Sequence, residues 1–113
     1  MNIQIFGTKK SFDTKKAQRY FKERRIKFQF VDLKEKGLSK GELESVARAV
    51  DGIEALINPK AKDQDTVALV QYLTADQRVE KLLDNQQIIA EPIVRNGRQA
   101  TIGYQPDVWK GWE

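Results

Sequence analysis

Apolar residues change their spacing several times along this chain, and each change marks an element. Ile3, Ile5 and Phe6 form a short apolar run closed by Gly7, which predicts a buried strand. Helix signals begin between Ser11 and Asp13, either of which can cap a helix N-terminus. Ala17, Tyr20, Phe21 and the stem of Arg24 then recur at helical spacing as an inner face. Phe28, Phe30 and Val31 predict a second strand ending near Asp32 and Leu33. A strand, a helix and a strand within this span make a βαβ unit, expected to be parallel and right-handed.

After a turn at Gly37, Ser39 and Glu42 form a capping box for a helix lined by Leu43, Val46, Ala47 and Val50, with Gly52 past its C-terminus. From Ile53 to Gln87 no strand is expected. Leu56 and Ile57 end a short helix broken at Asn58-Pro59. Val67, Leu69, Val70 and Leu73 predict another helix. Thr74 caps the next, with Val79, Leu82 and Leu83 inward. Ile93 and Val94 follow Glu91-Pro92, Asn96-Gly97 signals a two-residue hairpin, and the returning strand covers Gln99 to Ile102. Pro106 to Trp112 reads as a closing helix. The order is β-α-β-α, a helical insert, then β-β-α. The fold class is therefore α/β (α+β): a thioredoxin-like, glutaredoxin-like domain over residues 1–113. It has a four-stranded mixed sheet and an all-helical insert at about 53–87.

Composition narrows the chemistry. At 113 residues, with 40% hydrophobic positions, the chain can build one core. No apolar run approaches the roughly 20 residues that span a bilayer, and the opening MNIQIFGTKK lacks the order of a signal peptide. A soluble, cytoplasmic protein with no membrane partner is expected. There is no cysteine and no histidine. That excludes a disulfide framework and an iron–sulfur cluster, and removes the commonest transition-metal ligand and general base. Asp63 and Asp65 read as solvated carboxylates in a loop, so no metal site is expected.

The net charge of +4 is unevenly placed. Residues 9–27 hold nine Lys and Arg against Asp13 and Glu23, which leaves that segment at +7 and the remainder at −3. Lys15, Lys16, Arg19 and Lys22 point away from the inner face and are candidates to meet an anionic partner, although a solvated helix face gives the same pattern. Trp109 and Trp112 are candidates for stacking, but their spacing favours one core residue and one partly exposed cap.

Four stretches carry a likeness to a known family: IQIFGTKKSFDTKKAQRYFKERRIKFQFVDL, GLSKGELE, EPIV before the hairpin, and IGYQPDVW near the end. In register over the whole length, they make the chain resemble the arsenate reductase–related family that includes ArsC, Spx and YffB proteins. The resemblance implies that Pro92 is the cis-proline facing the site. It also implies that Ser11 stands where reductase members carry a reactive cysteine, and Thr14 where Spx-type members carry a second. Of the family's oxyanion-binding arginines, one is matched here by Glu91 and one by Tyr104. A third has at best Lys60 or Lys62 as its counterpart.

Nucleophile and clamp are thus missing together. A hydroxyl does not ionise near neutral pH as an activated thiol does, and a carboxylate in place of an arginine repels an oxyanion. A Ser–Lys arrangement with Lys9 or Lys10 as base is not specified by the spacing, so Ser11 reads first as a helix cap. Lys9, Lys10 and Lys60 remain anion-binding candidates.

The expected function is binding rather than catalysis, with no cofactor. The partner would be RNA polymerase, as the Spx resemblance implies, or another acidic protein surface. Lys15, Lys16, Arg19, Lys22 and Gly52 are the contact candidates. The alternative is a thiol-dependent reductase, for which glutathione would be the cofactor. Direct nucleic-acid binding is disfavoured because Tyr20 and Phe21 face inward.

Overall fold

The computed structural model describes residues 1–113. Its elements run β1 (Ile3–Gly7), α1 (Phe12–Glu23), β2 (Phe28–Asp32), α2 (Lys40–Ala49), α3 (Gln64–Val70), α4 (Ala75–Asp84), β3 (Ile93–Asn96), β4 (Gln99–Ile102) and α5 (Pro106–Lys110). Single turns of 3-10 helix at Ile53–Leu56 and Gln86–Ile88 bracket α3 and α4. The sheet order is β2-β1-β3-β4. β1 and β2 are parallel, with Ile3 opposite Phe28 and Gly7 opposite Asp32. β3 is antiparallel to both β1 and β4. This is the thioredoxin-like topology, with helices inserted between α2 and β3.

Alternation along β1 divides the core into two layers. Ile3 and Ile5 join Val94 against Ala17, Tyr20 and Phe21 of α1 and Trp109 of α5. The Trp109 indole is fully buried and donates to the Thr101 hydroxyl at 2.8 Å, so its one polar atom is satisfied. Phe6, Val31 and Ile93 face the other way, toward Leu43 and Val46 of α2 and toward the insert's Leu56, Val70, Leu82 and Ile88. Both capping boxes form, at Ser39 with Glu42 and at Thr74 with Gln77.

Several local readings shift. Arg24 does not line the inner face. It is exposed, with its guanidinium 3.7 Å from the centroid of the Tyr20 ring. In the hairpin Asn96 pairs with Gln99, so the two loop residues are Gly97 and Arg98, one step later than the Asn96-Gly97 signal. At the end of α2, Asp51 takes the left-handed conformation (φ 62°), and Gly52 donates to the Ala47 carbonyl at 2.8 Å. Leu69 faces solvent, because the short α3 can turn only Val67 and Val70 inward. No helix is long and apolar enough to cross a membrane.

Candidate functional site

Ser11 is the N-cap of α1. Its hydroxyl accepts the Thr14 N–H at 3.2 Å, satisfying one of the amides that a helix start leaves free. The other side of this helix end is held by Glu91, which precedes Pro92 through a cis bond. The Glu91 carboxylate accepts from the Thr8 N–H and from the Thr8 hydroxyl, which lies 3.0 and 3.1 Å from its two oxygens. It also accepts the Thr14 hydroxyl at 3.0 Å. Gly7 makes room for this arrangement: a Cβ there would lie 2.3 Å from Thr14 Oγ1 and 3.1 Å from Glu91 Oε1. Thr14 itself is fully buried.

The consequence is electrostatic. The start of α1 carries partial positive charge, which favours an anion. In this chain the anion is the protein's own carboxylate, fixed by three donors. The hydroxyls of Thr8 and Thr14 both aim their protons at it, so neither serves an external ligand.

An open cleft of about 630 Å³ borders Thr8, Ser11 and Glu91. Lys10, Lys34 and Lys62 line it, so of the candidate cations Lys10 belongs to the cleft whereas Lys9 and Lys60 lie outside it. Lys62 is the insert's contribution, and Lys34 was not foreseen. Asp63 also lines the cleft. It is not in a loop as a solvated pair with Asp65: Asp63 caps α3, and Asp65 lies within that helix's first turn. The Thr66 hydroxyl, then Gln87, then the Thr66 amide hydrogen-bond the Asp63 carboxylate and hold its pKa below the usual range.

Tyr104 lies outside this cleft. Its ring packs edge-on against Trp109, 5.5 Å between centroids, with Lys16 Nζ 5.6 Å from its own centroid. It therefore does not complete an oxyanion site with Ser11 and Glu91. Trp109 is core, and Trp112 is half-buried against the same layer.

The flank of α1 forms a second region. Lys15, Arg19, Lys22, Arg25 and Lys27 border a groove of about 800 Å³ whose apolar floor is Ile26 and Phe28. No carboxylate lines it, and none of the molecule's ion pairs involves α1. Lys16 points elsewhere, toward Tyr104. Gly52 is not part of this surface. It lies beside Glu44 and Asp76, by α2 and α4, and α2 packs on the sheet face opposite α1.

Sequence reasoning missed Phe12. It is 80% exposed beside Ser11, with Lys15 Nζ 5.7 Å from its ring centroid. The signal was available, since Phe12 falls outside the period that places Ala17, Tyr20 and Phe21 inside. The Tyr20 hydroxyl is buried without a partner, and burial raises its pKa.

Comparison with known proteins gives one family and a consistent set of folds. The model of the ArsC family matches residues 6–112. Among solved structures, the chain is similar to an ArsC family related protein from Bacteroides fragilis. That match has a TM-score of 0.87 at 15% identity, covering 100% of this chain and 98% of the other. It is also similar to an arsenate reductase from Vibrio cholerae, with a TM-score of 0.82 at 20% identity and coverage of 96% and 94%. A third match is an arsenate reductase (ArsC) related protein from Brucella melitensis, with a TM-score of 0.66 at 21% identity and coverage of 99% and 94%. No curated protein matches the chain.

Proposed function

This chain belongs to the ArsC family, and we propose that within it the chain is a catalytically degenerate member that acts by binding another protein. One observation carries the reading. The Glu91 carboxylate, held by Thr8 and Thr14, puts a fixed negative charge beside the start of α1, where reductase chemistry needs positive potential for a thiolate and room for an oxyanion. Ser11 offers an alcohol already engaged as a helix cap. The chain has no histidine to activate it.

The binding surface in this proposal is the groove beside α1, whose cations form no internal ion pair. They would attract an acidic protein surface through solvent-screened electrostatics. The Spx resemblance makes a cytoplasmic transcriptional regulator that contacts RNA polymerase the specific form of this proposal. Incubating the purified chain with purified RNA polymerase tests that form. Retention at low salt that falls as salt rises is expected, and no retention at any salt contradicts it.

The competing reading is a thiol-dependent reductase using glutathione. It draws on Lys10, Lys34 and Lys62, which keep the cleft beside Ser11 cationic, and on neighbours named as arsenate reductases. Assays of arsenate and disulfide reduction with an external thiol decide between the two. No turnover above the uncatalysed rate is expected, and clear turnover by the unaltered chain would replace the binding proposal.

A further inference from the structure

We infer that the open edge of β2 is a docking site for an extended, acidic segment of a partner protein, which adds a strand to the sheet beside α1. This rests on the binding reading above and names the form the partner takes. β2 ends the sheet and pairs only with β1. The Leu33 N–H points inward, donating to the Gly7 carbonyl at 2.9 Å. Alternation along the strand therefore turns the main-chain groups of Phe28 and Phe30 outward, away from β1. The Asp32 carbonyl already accepts from Glu35, Lys36 and Gly37, which closes the edge at that end.

The groove of α1 runs beside the start of this strand and shares Phe28 with it. An incoming strand would pair its main chain with Phe28 and Phe30 while its acidic side chains met Arg19, Lys22 and Lys27. Charge selects the occupant. Pairing two copies of this chain through β2 would bring two segments of charge +7 together, which disfavours self-association at the edge. A nucleic acid would gain little from stacking, because Ile26 and Phe28 are half-buried in the groove floor and the exposed Phe12 lies at the α1 N-terminus.

The probe is a short synthetic peptide alternating glutamate and valine, titrated into the isotope-labelled chain at low salt. Amide exchange at Phe28 and Phe30 is expected to slow by about tenfold or more at saturation. The same peptide N-methylated at alternate residues, which removes its pairing donors, is expected to bind at least about tenfold more weakly. Arg19→Glu combined with Lys22→Glu is expected to weaken binding by about tenfold while thermal unfolding stays put. Edge docking is overturned by unchanged exchange at Phe28 and Phe30, by equal binding of the N-methylated peptide, or by no binding at low salt. Tighter binding of a single-stranded oligonucleotide of matched charge also overturns it. Turnover in the reductase assays would remove the binding reading by itself. Failure at these two amides with silent reductase assays would remove only edge docking.

Discussion

The two ends of the electrostatic problem on α1 are solved in opposite ways. At its N-terminus, positive potential meets a carboxylate from the same chain, and Ser11, Thr8 and Thr14 spend their hydrogen bonds internally. Along its flank, Lys15, Arg19 and Lys22 have no internal ion-pair partner. A helix end that has supplied its own anion has little left to offer a substrate. A flank that leaves its cations without ion pairs keeps its positive field facing solvent. An internally neutralised N-terminus and an unpaired cationic flank are thus two separate features of one helix.

The contrast depends on α1 being clamped to the sheet, so the largest effect should come from its buried anchor. Trp109→Ala removes the ring that packs on Tyr20 and Phe21 and orphans the Thr101 hydroxyl. A stability loss of about 3–5 kcal/mol is expected in denaturant unfolding. A smaller loss would mean that α1 is held elsewhere.

Next come the residues that close the helix end. Gly7→Ala forces a Cβ against buried Thr14, at 2.3 Å from Oγ1 and 2.7 Å from Cγ2. A cost of about 1–3 kcal/mol is expected, in line with other overpacked sites. Glu91→Ala leaves the Thr8 amide and two hydroxyls without their acceptor, and a loss of about 1–3 kcal/mol is expected by chemical denaturation. Unchanged stability would show the carboxylate to be an idle neighbour. On the flank the same measurement should barely move. Lys22→Glu is expected to stay within about 0.5 kcal/mol of the parent protein, so a large change there would erase the contrast.

The smallest effect concerns pH. The folded-state pKa of Asp63 is depressed by Thr66 and Gln87. Its contribution to stability is therefore present above the ordinary carboxylate pKa, about 3.9, and is lost as pH falls through the lower folded value. Asp63→Asn should flatten the acid limb of the stability–pH curve slightly, and an unaltered limb would show that the cap does not titrate in that range.

Strand and helix placement was legible because apolar spacing and caps are local. Ile3 to Gly7, the Ser39–Glu42 box and the Thr74 cap all follow from residues a few positions apart. The site was legible only in its inventory. Glu91 was recognisable as a reversed charge. Its donors Thr8 and Thr14 lie 83 and 77 residues away, and no local pattern pairs them. Tyr104 matches an arginine of the cleft only by alignment; its ring, still partly exposed, packs edge-on against Trp109 on the α5 side, a contact that alignment does not announce. Lys62 and Lys34 reach the cleft where Lys60 does not. Lys60 and Lys62 lie in the irregular stretch before α3 and Lys34 in the turn after β2, where no periodicity in the sequence tells which side chain faces the cleft. Gly52 and the basic flank looked like one surface only because the sequence cannot say on which side of the sheet a helix packs.

The central claim is that the Glu91 carboxylate puts negative charge beside the start of α1, where a reactive thiolate at position 11 would need positive potential. It is tested most directly by restoring a thiol and reading its ionisation. The pH dependence of iodoacetamide alkylation should be measured for Ser11→Cys alone and for Ser11→Cys combined with Glu91→Gln. The account predicts that removing the carboxylate's charge lowers the thiol pKa by about one unit or more. Identical profiles for the two proteins would contradict it.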